Sequence, residues 1–213
     1  MAIKRSRLIF KPLVFIASLI PLGWLVFALW SDTALGTLYL TSDPVQKLNR
    51  ELGDWALIFI ILTLAVRPAG EILKKGEFVA YRRMIGLYAF FYAILHLTSY
   101  VIIDLQLDLN AFVQDVIKRN YITIGILAIL MLIPLAITST KGMIKRLGGR
   151  KWRKLHMLVY PIAILGVIHF YMMIRADFTR PIMYGSVIFV LLAYRVWKAR
   201  QKSRPKKPAE AAA

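Results

Sequence analysis

The sequence predicts an all-α integral membrane protein: a six-helix transmembrane bundle with both termini cytoplasmic. Three observations predict it. Of the 213 residues, 59% are apolar, against about 45–50% in a soluble chain. They gather in six stretches near the roughly 20 residues that one membrane crossing needs. Basic residues are dense in every second connection and sparse in the others, as the positive-inside rule requires. Six crossings leave two tails and five loops of roughly 13 residues each, too little for a self-contained NAD(P)H domain among these residues.

The first stretch, Phe10–Trp30, follows Lys4, Arg5 and Arg7. That order resembles a signal sequence, but the apolar run is too long for a cleaved one and no small-residue cleavage site follows, so it reads as an uncleaved span. The second, Leu52–Val66, is the weakest. Pro68 is expected to close it, and it is expected to begin earlier, through Pro44–Gly53, with Asp54 and Arg67 reaching the interfaces. The others are Arg82–Ile103, Tyr121–Thr138, Leu155–Ile174 and Pro181–Trp197. Residues 1–9 are expected to form a cytoplasmic tail, 10–198 the membrane domain, and 199–213 a basic disordered tail held to anionic membrane lipid by charge.

The net charge of +18 would point to nucleic acid in a soluble protein. Topology accounts for it here, so no nucleic-acid partner is expected. With the N-terminus inside, the segments Lys4–Lys11, Arg67–Arg83, Lys141–Lys154 and Arg195–Lys207 hold 23 of the 29 basic residues. The outer loops hold only Lys47, Arg50, Lys118, Arg119, Arg175 and Arg180, and most of the aspartates. There is no cysteine, which excludes disulfides, Fe–S clusters and thiolate chemistry.

All three histidines lie in or beside the third and fifth spans, which both run outward from the cytoplasm. His96 follows Arg82 by 14 residues and His169 follows Lys154 by 15, which puts both about 21–22 Å from the inner end. Two neutral imidazoles at one depth can ligate a haem iron from both sides, and ionisable residues inside a membrane are functional candidates by default. Helix–helix hydrogen bonding is the competing use of the same residues.

His156 stands 13 residues before His169, about 20 Å nearer the cytoplasm. The matching position on the third span is Arg83, which cannot ligate iron, followed by Met84. His156 is read either as a supporting redox residue or as an ordinary interfacial histidine. Arg82, Arg83 and the Lys141–Lys154 loop, with its Gly148-Gly149 pair, offer charge and N–H groups to a phosphate such as a flavin's, although the positive-inside bias explains the same residues. No dinucleotide-binding, P-loop or zinc signature occurs.

Several of these stretches together resemble the MsrQ family, the haem-binding membrane subunits of bacterial methionine-sulfoxide reductase systems. They are Arg82-Arg83-Met84-Ile85-Gly86-Leu87, Tyr92 to Tyr100 around His96, Leu135 to Thr140, Gly148 to Trp152, Leu155-His156 and Tyr160. The likeness extends from Pro21 to Arg195, and the wider group is the ferric-reductase-like transmembrane domain also found in NADPH oxidases. The resemblance implies the bacterial inner membrane, a b-type haem, a bound FMN and a periplasmic molybdopterin partner, MsrP, that repairs oxidised methionines. It implies electrons from the quinone pool or a cytosolic flavin reductase. His96, His156 and His169 stand at the family's histidine positions. Larger relatives carry two histidines on each of two helices, and the third span here lacks the inner one, which leaves one fully ligated haem. The expected function is an electron-transfer subunit without catalytic residues of its own. The alternatives are a stand-alone ferric or quinone reductase, or a haem-free transporter or scaffold.

Overall fold

A computed structural model describes the backbone of residues 2–203 and the side chains of residues 10–201. Six helical segments are long and apolar enough to cross a membrane: Phe10–Leu35, Pro44–Ile72, Gly76–Asp104, Asn120–Ile137, Gly149–Met173 and Thr179–Gln201. No strand occurs among the described residues. Large apolar side chains face outward, Ile20 at 65% and Phe189 at 72% exposure, as a lipid solvent allows.

Helix α1 (Ala2–Leu35) contains Pro12 and Pro21, and its ladder is repaired from outside. The Tyr92 hydroxyl accepts from Leu22 N–H at 3.2 Å and donates to Ser18 O at 2.8 Å, standing between two groups that would otherwise bond each other. Helix α2 (Pro44–Ile72) starts at a conventional signal: the Asp43 carboxylate accepts from Gln46 N–H, and Pro44 occupies the first turn, where its missing N–H costs nothing.

Two expectations for α2 are corrected. Pro68 does not close the helix. Its ring removes the donor that Leu64 O would use, but Arg195 Nη2 donates to that carbonyl at 2.8 Å, and the helix continues to Ile72. Nor does Asp54 reach the aqueous interface: it is buried and paired with Arg180 at 2.7 Å.

Helix α3 (Arg82–Ser99) is led in by a 3-10 turn at Gly76–Tyr81 and extended by a π turn at Tyr100–Asp104. Helix α4 (Leu109–Lys118) is a short surface helix capped by Asp108, and α5 (Asn120–Ile137) follows it. The basic loop folds into two short helices, α6 (Lys141–Leu147) and α7 (Gly149–Leu155). Gly148 separates them at φ 75°, ψ 148°, a conformation that side-chain-bearing residues avoid. After a 3-10 turn at His156–Leu158 come α8 (Val159–Met173) and α9 (Thr179–Ser203). Helix α9 thus includes residues 199–203 of the tail expected to be disordered, while 204–213 lie outside the described residues.

Packing joins α2 to α3 and α5 to α8 as two hairpins, and α3 touches α5 while α2 touches α8. The four helices close a ring. Helix α1 lies against α2 and α3, and α9 against α2 and α8.

Candidate functional site

Each of two histidines inside the ring is held by the membrane-length helix that precedes its own span. His96 on α3 has Nδ1 2.9 Å from the Asn49 carbonyl oxygen of α2. His169 on α8 has Nδ1 2.6 Å from the Tyr121 carbonyl oxygen of α5. A carbonyl can only accept, so in each ring Nδ1 carries the proton and Nε2 keeps the lone pair. Asn49 fixes its histidine a second time: its Nδ2 donates to His96 O at 3.2 Å and to Ser99 Oγ at 2.9 Å.

The two imidazoles face each other with ring centroids 6.1 Å apart and planes at 81°. They stand in the wall of one cavity of about 840 Å³, within the range of about 300–1,000 Å³ for small-molecule and cofactor sites. Room for the rings comes from two glycines. A Cβ built on Gly53 would lie 3.2 Å from the His96 ring, and one on Gly125 only 2.8 Å from His169 Nδ1.

The cavity mouth is charged. Arg180 pairs with Asp54 and lies 3.9 Å from Glu51, which also pairs with Lys47 at 2.8 Å. On the other side Tyr100 donates a hydrogen bond to Asp115, Asp115 pairs with Arg119 at 3.1 Å, and Arg119 reaches the Tyr121 hydroxyl at 3.5 Å. This cluster ties α4 to the residue whose carbonyl holds His169.

His156 is elsewhere. It stacks on Trp152 with centroids 3.9 Å apart, and its Nδ1 lies 3.1 Å from Trp152 O. It lines a second, inner cavity of about 60 Å³ together with Arg82, Arg83 and Ser139, and Arg83 Nη1 donates to Ser139 O at 3.4 Å. The five residues singled out in the sequence therefore divide into an outer pair, His96 and His169, and an inner group, His156, Arg82 and Arg83. Ile60 and Leu132 line both cavities.

Sequence reasoning missed the residues that hold the imidazoles: Asn49, Gly53, Tyr121 and Gly125. A signal was present. Gly53-x-x-Ala56-Leu57-x-x-Ile60 recurs as Gly125-x-x-Ala128-Ile129-x-x-Leu132, one copy on α2, the other on α5.

Residues 52–167 match the family described as ferric reductase like transmembrane component; that segment contains His96 and His156 and stops two residues short of His169. Three relatives, each named protein-methionine-sulfoxide reductase heme-binding subunit MsrQ, are similar over most of their length. The protein of Caulobacter vibrioides is 43% identical over 92% of this chain and 90% of its own. That of Herminiimonas arsenicoxydans is 44% identical over 90% and 86%, and that of Rhodospirillum rubrum 44% over 90% and 89%. With six apolar helices around a histidine-lined ring and identity at this level across nearly the whole chain, this multi-pass membrane protein belongs to the MsrQ family of ferric-reductase-like transmembrane components.

Proposed function

We propose that the chain is a b-type haem electron-transfer subunit whose outer cavity holds the iron between His96 and His169. One observation carries the reading: two imidazoles, each fixed through Nδ1, facing one large cavity with centroids 6.1 Å apart. A metal–imidazole bond of about 2 Å on each side, plus roughly 1 Å from nitrogen to ring centre, asks for about 6 Å. The residues fit the group. Bound there, haem would supply reversible one-electron chemistry, with His96 and His169 as the residues that would hold it. The protein's part is to fix each tautomer, raise ligand basicity through the carbonyl acceptors, and keep lipid out of the ring.

The inner cavity does not fit a cofactor of that size. About 60 Å³ admits a few waters, not a second porphyrin or the flavin ring of FMN, and His156 is faced by Arg82 and Arg83. Those arginines offer contacts for a phosphate or carboxylate only. The names of the relatives support a methionine-sulfoxide reductase as acceptor, which we take to be the periplasmic molybdopterin subunit MsrP. The donor, on the inner side of the bacterial inner membrane, is the quinone pool or a cytosolic flavin reductase. Both termini are placed in the cytoplasm on the strength of the basic-residue partition.

Protein purified from haem-sufficient cells should show a low-spin Soret band that moves on reduction. His96→Ala and His169→Ala should each remove it. His156→Ala should keep it while slowing its reduction by the physiological donor. Unchanged haem content and spectra in both outer variants would sink the assignment. Alkaline phosphatase fused after Asp108 should be active, and fused at the C-terminus inactive; the reverse pattern overturns the direction of transfer.

A further inference from the structure

The outer cavity is built twice from one pattern. Gly53, Ala56 and Ile60 of α2 and Gly125, Ala128 and Leu132 of α5 all line it, each pair separated by 72 residues. The carbonyl that holds each imidazole lies one helical turn before the glycine: Asn49 before Gly53, Tyr121 before Gly125. The histidines themselves are 73 residues apart. The α2–α3 and α5–α8 hairpins run in the same sense and meet through α3 with α5 and α2 with α8. Copies of one topology arranged this way are related by an axis along the membrane normal.

We propose that Gly53 and Gly125 are a matched pair of positioning residues, which set the spacing and plane of the two imidazoles for a flat, nearly two-fold ligand between them. The inference rests on the haem reading above. Glycine is a poor choice for a helix interior, where alanine is the better former, so both glycines are held against local preference. The contacts give the reason. A methyl at Gly125 would lie 2.8 Å from Nδ1 and 2.9 Å from Cε1 of His169, closer than carbon packs. The ring cannot swing aside, because its Nδ1 is tied 2.6 Å from Tyr121 O on the same helix. It must advance into the cavity or give up that bond. At Gly53 the corresponding distance is 3.2 Å to Cε1 and Nδ1 of His96, tight but open to a small shift. Two equivalent seats thus differ in tolerance.

The test uses the full-length chain, purified with its haem, and reads low-spin absorption and the electron paramagnetic resonance g-values, which report the ligand planes. Gly125→Ala should lose the low-spin signal to a five-coordinate form. Gly53→Ala should stay six-coordinate with shifted g-values. Gly23→Ala, where a Cβ meets nothing within 4 Å, should match the parent protein. If Gly125→Ala does not accumulate, the double variant Gly125→Ala/His169→Gly should, because the clash partner is gone; equal failure of the double variant overturns the proposal. Parent-like spectra and g-values in both Gly53→Ala and Gly125→Ala also overturn it and leave the haem reading standing. A parent protein without haem from haem-sufficient cells removes the haem reading itself, and this inference with it.

Discussion

The ring of α2, α3, α5 and α8 encloses about 840 Å³ around His96 and His169, in the half we propose to be outer, and, with α7 and the 3-10 turn after it, about 60 Å³ beside His156, in the half we propose to be inner. Outward of Ile60 and Leu132 the cavity walls include Gly53, Ala56, Ala93, Gly125, Ala128 and Gly166. Inward of them the walls include Phe90, Leu135 and Trp152 beside Gly86, Ala89 and Ala136. At Gly53 and Gly125 the missing side chains leave the room that the His96 and His169 rings occupy. Both halves contain ion pairs, the inner one between Glu71 and both Arg67 and Lys198, and the inner one also gives an arginine to neutral acceptors. The outer mouth pairs its arginines with carboxylates, as Arg180 with Asp54 and Arg119 with Asp115. The inner half spends Arg195 on a backbone carbonyl and the Tyr160 hydroxyl.

The contrast depends most on the layer between the halves. Ile60 and Leu132 are each 5% exposed and belong to both cavity walls. Leu132→Ala or Ile60→Ala should cost about 2–5 kcal/mol, the range for large-to-small changes in a packed core, and should open the inner cavity toward the outer one. Unfolding of the purified protein in detergent measures the cost. A loss below about 1 kcal/mol would mean that this layer is not packed as a barrier, since removing buried methyl groups at a tight site is more expensive than that.

A smaller effect is expected at the inner anchor. Arg195 donates to Tyr160 Oη at 2.9 Å and to Leu64 O at 2.8 Å, and its guanidinium lies 5.3 Å from the Tyr160 ring centre. Arg195→Met keeps a long apolar stem and deletes the donors. Pro68 has no N–H to offer, so Leu64 O is left without a partner. We expect about 1.5–3 kcal/mol, as for hydrogen bonds made by a charged group. Pro68→Ala in the Arg195→Met background should recover part of that loss, because alanine restores the donor within α2. Absence of any recovery would show that the arginine acts on packing alone.

These two sites also mark how far the sequence could be read. The six spans were legible because lipid imposes length and apolarity on each crossing, and the depth of His96 and His169 was legible because helical rise is constant. The end of α2 was not. A proline normally ends the ladder, and the repair comes from Arg195, 127 residues later, through a contact that no local pattern announces. Helix α4 was not legible either, because at 10 residues it is too short to carry the length and apolarity that a membrane crossing imposes. In the site, ionisable residues drew attention because they are expensive in a membrane. The residues that place them did not: Asn49 and Tyr121 act through backbone oxygens, and Gly53 and Gly125 act by having no side chain. Their mark in the sequence is the repeat at a separation of 72, visible only when two helices are compared with each other.

The smallest predicted effect belongs to the outer mouth and asks whether its ion pairs behave as buried or as surface pairs. The Asp54 side chain is 8% exposed and that of Arg180 55%, so the two partners sit in different surroundings. Removing the arginine leaves a carboxylate with little water to solvate it. Removing the carboxylate leaves a guanidinium that water and Glu51, 3.9 Å away, can still serve. Arg180→Met should therefore destabilise more than Asp54→Asn, by a margin of about 1 kcal/mol, the upper end for pairs with an exposed member. A double-mutant cycle isolates the coupling. Because only the exposed partner is screened, added salt should shrink the coupling without abolishing it. Equal costs for the two single variants, with a coupling that vanishes at high salt, would class Asp54 with the surface carboxylates and remove the asymmetry between its surroundings and those of Arg180.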